Sequence, residues 1–124
     1  MSNASRGAAF ERRVQDHLEE LGWVVVRAAG SLGALDLVAV APADVLFVQV
    51  RLNGRMDPVE WDGLYLLARR AGGTALLVDR PARGRIRFRH LLGLKGIGRR
   101  GGNPPCEEWT PYLVPACPGE EGGL

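Results

Sequence analysis

Two apolar runs separated by a short turn constrain this chain more than any other feature. Residues 34–40 and 45–52 consist largely of Leu, Val, Ala and Phe, with Ala41-Pro42-Ala43-Asp44 between them. A Pro-containing link of this length between strand-forming runs signals a hairpin. Strands this uniformly apolar are buried on both faces of a sheet, so they require covering layers above and below.

The covering layers can be read on either side of the hairpin. Phe10, Val14, Leu18 and Leu21 recur at helical spacing, which predicts a helix over residues 8–21 that stops at Gly22. Asp57-Pro58-Val59-Glu60 is a helix start, with Asp as N-cap, Pro at the first helical position and Glu at the third. The helix it opens carries Trp61, Leu64, Tyr65 and Ala68 on one side and ends at Gly72-Gly73. Three further runs read as strands: Trp23 to Arg27, residues 74–79, and residues 86–91, where Ile86 and Phe88 alternate with Arg87 and Arg89. The expected fold is α/β, a central mixed sheet flanked by helices in the order α-β-β-β-α-β-β. Length allows one domain, placed at residues 1–92. From residue 93 the Gly and Pro density rises, which predicts an extended tail over 93–124 with little regular structure. The tail holds both cysteines, Cys106 and Cys117, without metal-ligand partners at suitable spacing, so free thiols are expected.

Three polar side chains, Asp36, Gln49 and Arg51, interrupt the two central runs. Burying them unpartnered costs several kcal/mol, on the order of 2–7 per group, so they satisfy one another or serve a site. A turn centred between Pro42 and Ala43 puts Asp36 directly opposite Gln49, with Cβ atoms roughly 5 Å apart, and Arg51 on the same face. A slip of one residue sends Gln49 to the other face. Two readings stand at this point: a structural Asp–Arg pair bridged by an amide, or a functional site beside the small-residue loop Ala28-Ala29-Gly30-Ser31-Leu32-Gly33.

Arg6-Gly7-Ala8-Ala9-Phe10-Glu11-Arg12, Val25 through Ser31, Leu35-Asp36-Leu37-Val38-Ala39 and Ala68 through Gly73 together resemble the archaeal-type Holliday junction resolvases, over roughly residues 5–90. That family sits in the PD-(D/E)xK superfamily of restriction-endonuclease-like nucleases. The resemblance implies Mg²⁺-dependent cleavage of branched, four-way DNA by a homodimer, with Mn²⁺ as a substitute ion. It implies catalytic positions at Glu11, Ser31, Asp36, Gln49 and Arg51, with Glu11, Asp36 and Gln49 as metal ligands. The chain departs from the pattern where Glu-x-Lys has become Gln49-Val50-Arg51. Gln is a neutral oxygen ligand, and Gln here also resembles a variant motif of some Mrr-type nucleases. Arg can stabilise charge on a phosphate but cannot act as a base at physiological pH. Two alternatives therefore remain beside junction cleavage: a junction-binding protein of the same fold that does not cut, and a nuclease acting on another DNA.

Charge distribution agrees with an anionic partner and, taken alone, equally with an ordinary solvated surface. Fifteen of the 16 cationic side chains are Arg and all 16 lie in residues 1–100, giving that stretch +6, whereas residues 101–124 carry four Glu and no cation. Arg6, Arg12, Arg27 and Arg55 are the candidate DNA contacts, and Arg83, Arg85, Arg87 and Arg89 form a possible basic edge. Leu94-Lys95-Gly96-Ile97-Gly98 has the look of a phosphate-binding hairpin, but the flanks leave no room for its two helices and a flexible loop is expected. His17 and His90 lack ligand-spaced partners. The chain has no apolar run of membrane-spanning length and opens without the apolar stretch of a signal peptide, so a cytoplasmic location is expected.

Overall fold

A computed structural model describes residues 3–28, 35–96 and 104–115. Helix α1 (Asn3–Glu20) leads into β1 (Val24–Arg27), β2 (Leu37–Ala41) and β3 (Asp44–Val50); α2 (Pro58–Ala71) is followed by β4 (Thr74–Asp79), β5 (Arg87–Leu91) and β6 (Cys106–Trp109). The predicted order is present, with one strand added at its end. Helix α1 begins at Asn3, five residues before the expected start at residue 8, because its first turns, small or polar in composition, carry no apolar periodicity.

The six strands form one sheet in chain order, β1 to β6. All neighbours are antiparallel except β3 and β4, which α2 joins as a crossover, so the sheet is mixed. The hairpin turns at Pro42-Ala43: Ala41 faces Asp44 and Leu37 faces Val48, the expected register. Two clusters of buried side chains lie on opposite faces. Phe10, Val14 and Leu18 of α1 pack on Leu37, Ala39, Val48, Leu76, Val78 and Phe88, while Trp61, Leu64 and Ala68 of α2 pack with Ala75, Leu77 and Leu91. The start of α2 is fixed as predicted. Asp57 accepts from the Glu60 N–H at 2.8 Å, Pro58 follows, and Gly72 ends the helix at φ 73°.

In the tail, expected to be extended with little regular structure, four of the described residues form a strand. Cys106–Trp109 adds to the free edge of β5, pairing Phe88 with Trp109 and Leu91 with Cys106. Beyond it, the Tyr112 carbonyl accepts from the buried Trp23 indole N–H at 3.1 Å, and the Val114 N–H donates to Leu21 O at 2.7 Å. Gly and Pro in this stretch mark turns; they do not remove the apolar area that Trp109, Tyr112 and Val114 bring against Trp23 and Phe88. The loop at 94–96 is also held: Asp62 accepts from the N–H groups of Lys95 at 2.7 Å and Gly96 at 3.4 Å, and Lys95 Nζ donates to Met56 O at 2.6 Å. The amides that suggested phosphate binding thus hold a carboxylate of this chain; Ile97 and Gly98 lie outside the described residues. No described helix is long and apolar enough to cross a membrane.

Candidate functional site

Asp36 stands one residue before β2, where the hairpin ladder ends. Its N–H donates to Val48 O at 2.8 Å, and its Oδ2 accepts from the Val50 N–H at 2.9 Å. The carboxylate therefore replaces a backbone acceptor that β2 no longer supplies, which fixes its direction. Arg51 follows β3 directly, its backbone N–H held by Val78 O at 2.9 Å. One guanidinium nitrogen lies 4.0 Å from Asp36 Oδ2, and the other forms a short contact with Glu60 on α2. Gln49 is adjacent to Leu77 of β4 and shares, by strand alternation, the face of Leu77 and Arg51. It is 1 % exposed, and its Oε1 has no hydrogen-bond partner among the described residues. A buried oxygen in that condition costs about 1–3 kcal/mol.

Glu11 projects from α1 one residue past the buried Phe10 and pairs with Arg27 of β1 at 3.3 Å. Burial raises its pKa first and the negative charge of Asp36 raises it further, while Arg27 opposes both. The two carboxylates therefore sense each other. Among the described residues, no three His, Cys, Asp or Glu side chains gather as a metal cluster. The oxygen set on offer is Glu11, Asp36 and the Gln49 amide, all hard donors of the kind Mg²⁺ prefers. Ser31 lies outside the described residues.

Of the candidate DNA contacts, Arg12 and Arg27 line a groove of about 440 Å³ beside Glu11, together with Ala8, Gln15, Asp16 and Glu19. Arg6 is exposed on α1, and Arg55 is exposed in the loop joining β3 to α2. The basic edge is corrected in part. Arg87 donates to both oxygens of buried Asp79, at 2.9 and 2.6 Å, and Arg89 reaches Asp79 at 3.4 Å and Gly54 O at 2.9 Å. Only Arg83 and Arg85 of that set are exposed. Its bond to Asp79 holds the Arg87 guanidinium above its ordinary pKa. His17 packs against Phe88, with ring centroids 6.1 Å apart.

Two residues escaped the sequence reading. Asp79 closes an apolar strand and looks like its terminator; Glu60 looks like a helix-start residue. Neither position signals by itself that an arginine from elsewhere in the chain meets it.

The family model of the archaeal Holliday junction resolvases (hjc) matches residues 2–99. The chain belongs to that family. Among solved structures, this chain resembles the Holliday junction resolvase Hjc of Archaeoglobus fulgidus, an archaeal hyperthermophile, at 26% identity and a TM-score of 0.59. The alignment covers 67% of this chain and 70% of that one. No curated protein matches by sequence. The family match takes in Glu11, Asp36, Gln49 and Arg51, and it ends before β6.

Proposed function

We propose that this resolvase-family chain is a Mg²⁺-dependent endonuclease that cuts four-way DNA junctions as a homodimer, with Mn²⁺ able to replace Mg²⁺. The observation that carries the reading is the buried, unpartnered Gln49 Oε1 on the face that bears Asp36 and Arg51. In a purely structural Asp–amide–Arg network that oxygen would accept from Arg51; it does not, and a cation would satisfy it. Glu11, Asp36 and Gln49 are the residues that would hold Mg²⁺. When bound, the ion supplies Lewis-acid stabilisation of charge on the scissile phosphate.

The side chains divide the remaining work. Arg51 holds a positive charge beside Asp36 at every physiological pH, so it stabilises a phosphate anion and moves no proton. Arg27 and Arg12, at the groove beside Glu11, and Arg6 and Arg55 neutralise backbone phosphates and set the position of the duplex arms. Two symmetric cuts need two copies of the site, because one chain offers one.

The contact between copies is assigned to the outer face of β1 and β2, where Val24, Val26 and Val40 are 65%, 56% and 39% exposed. Two other apolar groups are committed inside the chain and do not serve. Trp61 is 2% exposed in its own core, and Trp109 and Val114 pack on their own domain.

The test is incubation of labelled four-way junction and linear duplex with Mg²⁺, Mn²⁺ or EDTA. Wild type should cut the junction only with the metals, and Asp36→Asn should abolish cutting while retaining fold and junction binding. A specific observation favours one other reading: Arg51 and Glu11 already have partners, Glu60 and Arg27. Tight junction binding without cleavage under any divalent ion would establish that non-cutting reading. Preferential cutting of duplex would establish a different DNA substrate.

A further inference from the structure

Charge bookkeeping around Asp36 does not close without a residue from α2. Glu11 and Asp36 bring two negative charges, and Arg27 and Arg51, each in contact with one of them, bring two positive ones. Gln49 is neutral. Those five side chains together carry no net charge to attract a divalent cation. Glu60 changes the balance, because its carboxylate lies directly on the Arg51 guanidinium, about one-third exposed. Its position is rigid. Its backbone N–H is held by Asp57, and the next residue, Trp61, is buried in the core with its indole N–H donating to Gly93 O at 2.9 Å.

We propose that Glu60 is a positioning residue of the site: it neutralises Arg51 and so supplies the negative charge that Gln49 lacks. The inference rests on the metal-dependent reading above. Glu60 need not touch the ion. By binding the far side of the guanidinium it leaves Asp36 only partly compensated, and with Glu11 and the unpartnered Gln49 Oε1 this leaves a net negative cluster. A carboxylate in the first turn of a helix also stabilises that helix, so the test must separate the two roles.

The experiment measures Mn²⁺ binding to the full chain without DNA, by titration calorimetry, beside thermal unfolding of each variant. Glu60→Gln should weaken Mn²⁺ binding about fivefold or more, whereas Glu60→Asp, which keeps the charge, should stay within about twofold. The double variant Gln49→Glu with Glu60→Gln moves the carboxylate onto β3 and should recover wild-type affinity. A helix-capping role would lower thermal stability without moving Mn²⁺ affinity, and that result overturns the proposal. Loss of affinity that Gln49→Glu does not rescue overturns it as well. If wild type binds Mn²⁺, Asp36→Asn does not and Glu60→Gln matches wild type, the proposal for Glu60 fails while the metal site stands. If wild type itself takes up no Mn²⁺, the metal reading falls and the inference falls with it.

Discussion

Replacing Trp109 by Ala tests whether the chain beyond residue 103 belongs to the cooperative fold. The indole contacts three aromatic partners: Phe88 at 5.9 Å between centroids, Tyr112 at 6.3 Å and Trp23 at 6.5 Å, at interplanar angles of 61–66°. A fully buried Trp→Ala change costs about 3–5 kcal/mol. Trp109 is only half-buried, which scales that loss to roughly 2 kcal/mol. Edge-on aromatic contacts add about 0.5–1.5 kcal/mol per pair, partly counted already in the area. The expected cost is therefore about 2–3 kcal/mol. For a domain of 124 residues each kcal/mol lowers Tm by roughly 3–5 °C, so the melt should shift down by about 6–15 °C. Circular dichroism melts measure it, with Leu113→Ala as the control, since Leu113 is 69% exposed and its truncation should stay within about 0.5 kcal/mol. A Tm for Trp109→Ala indistinguishable from wild type would refute the reasoning and end the folded domain near residue 92.

Three other outcomes follow from the same contacts. Arg51→Ala should lower kcat/KM for junction cutting by roughly 30- to 1000-fold, about 2–4 kcal/mol of lost phosphate stabilisation, while Arg51→Lys retains activity; a loss of Tm alone in single-turnover and melting assays would mark Arg51 as purely structural. Val26→Glu, on the exposed face of the edge strand β1, should convert a dimer to a monomer by light scattering while keeping the folded circular dichroism spectrum, and a wild-type monomer at micromolar concentration would remove that interface. Asp57 is held below its ordinary value of 3.8, first by the Glu60 backbone N–H, so its cap stabilises the fold above pH 3.8 and is lost as pH falls through the lowered value. The Tm difference between wild type and Asp57→Ala should therefore be constant at neutral pH and vanish in strong acid; a difference that grows on acidification would reverse the assignment.

Local, periodic constraints were readable in the sequence, and choices of distant partner were not. Pro42 fixed the hairpin register because a turn centred there leaves only one pairing that keeps Leu37, Val48 and their neighbours on one buried face. That register carried half of the candidate site, bringing Asp36 and Arg51 within 4.0 Å. The cap residues of α2 were equally plain, because Asp57, Pro58 and Gly72 act within a turn of themselves. What escaped was long-range. Trp23 needs an acceptor for its indole N–H, but nothing nearby in sequence shows that the acceptor is Tyr112 O, 89 residues on. A composition count over residues 93–124 averaged away the apolar groups that make β6 pack.

The two unforeseen acids show what such pairings do to a charge argument. Asp79 binds Arg87 and Arg89, Glu60 binds Arg51 and Glu11 binds Arg27, so four of the chain's 15 arginines are held by this chain's own carboxylates. An arginine count thus overstates the cations left without a carboxylate of this chain. The exposed cations that remain near Asp36 and Glu11 are fewer and better placed: Arg6 and Arg12 on α1, and Arg55 in the loop that leads into α2. They lie on the elements that flank the Asp36 end of the sheet, whereas Arg83 and Arg85 lie in the loop between β4 and β5. A DNA backbone held by the first group would run along the end of the sheet that carries Asp36 and Arg51. The same backbone held by the second group meets the pocket of about 330 Å³ walled by His17, Phe88 and Trp109, which offers no pair of carboxylates for a metal. The internal ion pairs therefore do more than stabilise the sheet: by holding both arginines of β5 on the buried Asp79, they withdraw Arg87 and Arg89 from the cations a phosphate could meet.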